Sequence, residues 1–208
     1  MGPLHIRVNL LVDLLGIAPG LRAQAVITVK FDEIPAGSLP AELYAGFGLH
    51  FGSGPVGVQA GIANGDPGNW GLNGTNGPYF LGFNGSPDYG ETVTFDAPVF
   101  AVSLDVSGSN GSSPTDTFTL TAFSGATPIA TQTVTLATIN AWQTVAVSSV
   151  AIPSITSVQF LSSGGSFRPF GVDNLQVVAV PEPSTVALAA VGAAGLLVTA
   201  RRRRGLRI

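Results

Sequence analysis

The sequence predicts an all-β protein: an antiparallel β-sandwich of jelly-roll type, preceded by an N-terminal signal-like segment and followed by a C-terminal transmembrane helix. Three observations lead there. Short runs rich in Val, Thr, Phe and Ile alternate apolar with polar residues, and no long stretch of the central region carries helical periodicity. Clusters of Gly, Pro, Asn and Ser punctuate those runs at short intervals, which favours hairpin-linked strands over a βαβ fold. Charge is scarce, at 10% of 208 residues, against about a quarter in an average soluble chain. Thr and Ser covering the outer faces of strands account for that poverty.

In chain order, residues 1–25 read as a secretory signal peptide. An apolar stretch at 8–18 follows His5 and Arg7, and Ala23-Gln24-Ala25 supplies the small residues for cleavage after Ala25. Asp13 interrupts the stretch and Arg22 stands close to the cut, so the competing reading is a short amphipathic helix belonging to the domain. Residues 26–179 form the domain itself. Its clearest strands are the alternating runs at 92–95, 100–106, 117–123, 131–136, 143–147, 157–161 and 172–178, and about eight to ten strands are expected in two sheets. Phe118, Leu120 and Ala122 share one face of their strand, and Thr117, Thr119 and Thr121 share the other. One face therefore packs on a core while the other meets water. Residues 52–90 differ, being dominated by Gly, Asn and Pro, a composition that suits long loops with positive-φ turns. They are the candidate binding region, the alternative being a surface excursion without a ligand.

Residues 180–208 make a third part. Pro181 and Pro183 forbid helix and keep Glu182 in an extended segment that a protease can reach. From 184 to 200 no residue is charged, and Arg201, Arg202, Arg203 and Arg204 follow within an Arg-rich tail at 201–208. As a helix, 184–200 would be roughly 25 Å long at about 1.5 Å per residue. That spans a thin or locally thinned bilayer, whose hydrocarbon core is about 30 Å. The arginines would hold their end in the cytoplasm and leave everything upstream outside. A buried amphipathic helix is the competing reading, but 186–198 is apolar on every face.

Val180-Pro181-Glu182-Pro183-Ser184-Thr185, an Ala/Gly/Leu-rich helix and a terminal Arg cluster, in that order, resemble the PEP-CTERM sorting signal. The same C-terminal segment is also named after ice-binding proteins on which it occurs. The resemblance covers residues 180–208 and concerns sorting alone, since unrelated domains carry the signal. It implies a partner, an exosortase-like membrane protease that cuts near the Pro-Glu-Pro motif. It also implies an inner-membrane intermediate, and then a place on the cell surface or in the extracellular matrix of a Gram-negative bacterium.

Several function classes are excluded. The absence of Cys removes a disulfide scaffold, a thiolate metal site and a Cys nucleophile. The net charge of −3 averages two unlike parts, because five of the nine basic residues lie in the last eight positions. Between 31 and 180 only Arg168 is basic, against ten acidic residues, a net of −9 that argues against nucleic acid as a partner. His50, in the strand-like Gly48-Leu49-His50-Phe51, is the sole histidine of the domain, so a His-rich zinc site cannot be assembled. No G-x-S-x-G, P-loop or dinucleotide fingerprint occurs. No enzyme is expected; the alternative is a secreted carbohydrate-active enzyme of β-sandwich fold, built on a pair of carboxylates.

Two ligand classes remain. Ten carboxylates, many Asn and Gly-rich loops offer the oxygen ligands that calcium takes. The domain opens with Phe31-Asp32-Glu33-Ile34 and closes with Gly171-Val172-Asp173-Asn174-Leu175. This pairing resembles calcium-stabilised jelly-roll carbohydrate-binding modules, in which first and last strands share a structural ion. The resemblance implies Ca²⁺ held by Asp32, Glu33 and Asp173, with Asn174 or backbone carbonyls adding to them. Against it stands the reading in which Asp32 and Asp173 cap turns or pair with Arg168. Trp70, Tyr79 and Tyr89 lie in or beside the Asn/Gly-rich stretch and could stack on a sugar ring, while Trp70 could equally anchor a long loop. Trp142 starts a strand and is expected in the core. The expected function is that of an exported surface or matrix protein, structural or adhesive, binding extracellular polysaccharide weakly.

Overall fold

One long strand organises the protein. The computed structural model describes residues 9–11, 24–33, 41–52, 62–64, 71–75, 77–83, 90–109, 115–136, 138–150, 152–163 and 169–180. Its strands are β1 (Asn9–Leu11), β2 (Gln24–Val29), β3 (Leu49–Gly52), β4 (Ile62–Asn64), β5 (Phe80–Phe83) and β6 (Gly90–Gly108), followed by β7 (Thr117–Ser124), β8 (Thr127–Thr135), β9 (Gln143–Ser148), β10 (Ile155–Ser163) and β11 (Phe170–Ala179). A 3₁₀ helix at Ala41–Phe47 precedes β3. The pairings between these strands are antiparallel.

The runs expected separately at 92–95 and 100–106 are one strand, β6, of 19 residues. Its first part lies between β3 and β10, with Thr94 opposite both His50 and Ser157. Its last part lies between β9 and β11, with Val106 opposite both Gln143 and Val172. Between them residues 96–98 are exposed, and Pro98 there has no N–H to give a ladder. Two layers of a sandwich therefore share β6. One runs β3, β6, β10, β7, β8; the other runs β9, β6, β11, β2, β1, with β5 and β4 added at the start of β11.

Alternation in the sequence places the core. Phe118, Leu120 and Ala122 are fully buried, as their shared face predicts. Phe83 and Phe170 stack at 4.6 Å in one layer, and both meet the other layer edge-on, Phe83 against Phe160 and Phe170 against Phe118, each at 5.6 Å. Such pairs add about 0.5–1.5 kcal/mol to the area they bury.

Two expectations change. Residues 52–90 are not loop throughout: Phe80-Leu81-Gly82-Phe83 is a wholly buried strand, too short and too uniformly apolar to show alternation. The chain carries eleven strands among the described residues, above the eight to ten expected. The expected cleavage point after Ala25 falls inside β2, and β1 pairs on that strand's edge with Leu10 opposite Ala25. Among the described residues no helix is long and apolar enough to cross a membrane; the segment at 184–200 lies outside them, as do the Pro-Glu-Pro motif and the arginines.

Candidate functional site

The sheet register brings the two acidic motifs together. Val29 on β2 stands opposite Leu175 on β11, so three further residues carry Asp32 alongside the start of β11, where Asp173 lies. Phe31 turns the chain there with φ of +60° while its ring packs edge-on to Tyr44 and Phe51. For a bulky residue this backbone is strained, and it persists because the surrounding packing holds it.

Both carboxylates grip the loop at 71–79. Thr75 donates its N–H and its hydroxyl to Asp173 Oδ2 at 2.8 and 2.7 Å, and Asn174 donates its N–H to Asp173 Oδ1 at 2.7 Å. Tyr79 donates its N–H to Asp32 Oδ1 at 3.1 Å. The loop passes this close only because it has glycines: a Cβ on Gly77 would run into the Asp32 carboxylate, and one on Gly74 would stand 2.5 Å from Gly77 O.

Asn174 sits at a register shift between β11 and β6 with φ of +50°, a conformation Asn tolerates better than most residues. The irregularity aims its Nδ2 at Thr75 Oγ1 and at Asp105 Oδ2, both at 2.8 Å. Thr144 on β9 donates to Asp105 Oδ1 at 2.6 Å. A polar chain thus runs across the sheet from β9 through β6 and β11 into the loop. On the loop's other flank, Asn140, also at positive φ (+55°), accepts the Asn73 N–H at 2.9 Å and donates to Gly71 O at 2.6 Å. Trp142 Nε1 donates to Asn73 O at 3.0 Å, while its ring lies against Phe80 and over Gly171. Among the described residues, the three non-glycine positions with positive φ all border this loop.

Burial pushes the Asp173 carboxyl above its ordinary range, and the negative charge of Asp32 adds to that; the hydrogen bonds from Thr75 and Asn174 oppose it. The site is therefore acidic and partly desolvated.

Of the expected ligands, Asp32, Asp173 and Asn174 converge here. Glu33 does not: its Oε2 accepts the Tyr44 hydroxyl at 3.1 Å, and burial together with that carboxylate holds the phenol far above its usual pKa. As arranged, the donor set does not make a calcium shell. Both Asp173 oxygens and Asp32 Oδ1 already face N–H or O–H donors, whereas calcium takes about six to eight oxygens. Among the described residues no group of three or more His, Asp or Glu gathers around one point suited to a metal. Tyr79 is half-buried beside Asp32, with its backbone in the clamp; Trp70 and Tyr89 lie outside the described residues. Trp142 is half-buried and bolts the loop to the core instead of presenting a free platform.

Sequence reasoning missed Thr75, Asp105, Asn140 and Thr144. The available signal was the Asp-Asn pair in the middle of an apolar strand, a place where such residues need partners. His50, the residue on which a catalytic alternative would turn, lies near the 96–98 bend, Nδ1 at 2.6 Å from Glu42 and Nε2 at 2.9 Å from Asp96. Those contacts raise its pKa, and with both ring nitrogens facing carboxylates it is placed to hold charge.

Residues 179–204 match the PEP-CTERM protein-sorting motif. No curated protein matches the chain. Among solved structures, the chain is similar to the K1 cleaved adhesin domain of Lys-gingipain from Porphyromonas gingivalis W83, with 13% identity, 73% of this chain and 96% of that one covered, and a TM-score of 0.46. It is also similar to the CBM22-1 xylan-binding domain of Paenibacillus barcinonensis Xyn10C, at 15% identity, 74% and 92% coverage and a TM-score of 0.40. A third is TmCBM61 in complex with β-1,4-galactotriose, at 11% identity, 64% and 81% coverage and a TM-score of 0.39. These likenesses are loose, and the architecture rests on the strand pairing described above.

Proposed function

We propose that this is an exported surface or extracellular-matrix protein of a Gram-negative bacterium, sorted by its tail and non-catalytic in its body. The observation that carries the reading is the PEP-CTERM motif at 179–204, whose match begins at the final residue of β11, the last strand among the described residues. β11 ends at Ala179, so a cut near Pro181-Glu182-Pro183 leaves each of the described strands on the released side. Before the cut, 184–200 crosses the inner membrane and Arg201 to Arg204 remain in the cytoplasm. An exosortase-like membrane protease is the processing partner.

The body is a sandwich of jelly-roll type that engages extracellular polysaccharide weakly through the loop cluster. What supports this is strain and unusual polarity gathered at one edge: three positive-φ residues, a partly desolvated carboxylate and a row of amide and hydroxyl groups. Sorting is tested by replacing Glu182 with Ala or deleting 201–204 in the producing cell. Uncleaved protein retained in the membrane is the expected result, and normal processing of both variants would reject it. Polysaccharide engagement is tested by screening the processed protein against a glycan array, with Asn140→Ala as the loop variant. Failure to bind any glycan leaves a structural role alone.

A further inference from the structure

The turn between β9 and β10 lies at the opposite end from the loop cluster and has a different chemistry. Val150 is 92% exposed and Ile152 64% exposed, whereas the other exposed large hydrophobic side chains among the described residues reach only 38–40%. The turn is held rather than loose. Ser149 donates its N–H to Phe100 O at 2.8 Å, and its hydroxyl is shared between Phe100 O at 3.1 Å and Ile152 O at 2.7 Å. Ile152 donates its N–H to Val150 O at 3.0 Å. Among the described residues, these two bare aliphatic side chains on a braced turn have no apolar cover to explain them.

Their position is informative. Phe100 follows Val99, and Val99 is the residue opposite Ala179, where β11 ends. The apolar turn thus stands beside the point where the chain leaves the domain. Four residues, 180–183, separate Ala179 from Ser184, where the uncharged segment begins, so the two are at most about 18 Å apart when the chain is fully extended. A domain tethered so closely must present this end to whatever holds the tail.

We propose that the turn is a lipid-facing foot: in the uncleaved protein Val150 and Ile152 enter the bilayer interface beside the tail. The inference rests on the reading that 184–200 is in the membrane. The contact is apolar and has no need of anionic headgroups, because the charged groups at this corner, Glu42 and Asp96 with His50 between them, are predominantly acidic. Seating the foot orients the domain and fixes the height of the Pro-Glu-Pro segment above the membrane.

The chain has no cysteine, so Val150→Cys can be labelled at one position with an environment-sensitive fluorophore. Thr135→Cys, exposed at the far end of β8, is the control. The full chain is reconstituted into phosphatidylcholine vesicles with and without spin-labelled acyl chains. Quenching at 150 about twofold or more above that at 135 is the expected result, and equal quenching in chain that floats with the vesicles overturns the foot while leaving the tail reading intact. Chain that does not float overturns both. Shielding of the 150 probe that persists in detergent and disappears on dilution would assign the turn to a second copy of the chain and likewise overturn the proposal.

Discussion

Where β11 begins, five hydrogen bonds, from Thr75, Tyr79, Asn174 and Asn140, and two glycines without room for a side chain hold a long loop in place. Where β11 finishes, nine residues and about 30 Å further on at about 3.3 Å per residue, the surface is a short braced turn with bare aliphatic side chains. The first end spends strain and desolvation on holding polar groups in fixed positions. The second leaves apolar groups in water that a monomeric domain would have no reason to expose. One strand therefore joins a strained, polar end to an apolar one.

Substitutions that break the comparison should do so unequally. Phe170→Ala, beneath the loop end and in contact with Phe83 and Phe118, is expected to cost about 3–5 kcal/mol, read from urea unfolding. Asp173→Ala removes the acceptor of three hydrogen bonds and is expected to cost about 2–3 kcal/mol; a variant as stable as the parent would show that the clamp contributes nothing. Asn140→Ala loses two hydrogen bonds and leaves a Cβ residue at positive φ, an expected loss of about 1–2 kcal/mol. Asn140→Gly should recover part of it, which separates strain from bonding. At the other end, Val150→Ser and Ile152→Ser should each stay within about 0.5 kcal/mol of the parent, since both side chains already face water.

Two solution measurements sharpen the contrast. Chelation should leave the melting midpoint unchanged, because the clamp is closed by hydrogen bonds; a fall would place an ion in it. The brace at the 96–98 bend should respond to pH. Contacts with Glu42 and Asp96 raise the His50 pKa above 6.5, so the folded state binds the proton more tightly than the unfolded chain. Its stabilising contribution is complete below about pH 6.5 and is lost as pH rises through the folded value. His50→Gln should flatten that part of the stability profile, measured by melting at successive pH values.

Much of this was legible beforehand. Alternation at 117–123 dictated which side of β7 is buried, because a strand's period of two leaves no other choice once one face is apolar. The Pro-Glu-Pro segment, the uncharged stretch and the arginines were readable because a sorting signal is contiguous and acts as a linear address. Asp32 and Asp173 were legible as a pair through their place near the first and last strands. Their partners were not: Thr75, Asp105 and Thr144 look like any other loop or strand residues until β2, β6, β9 and β11 are set side by side.

The sequence alone determined the fold class, the buried faces and the address at the C-terminus, all of which depend on local pattern. Only the tertiary structure decided that Glu33 turns to Tyr44 while Asp32 turns to the loop, that β6 serves both layers, and that an apolar turn stands beside the exit of the tail. Those facts join residues far apart in the chain, through registers and one irregular residue, Asn174, whose backbone angle is imposed by its neighbours.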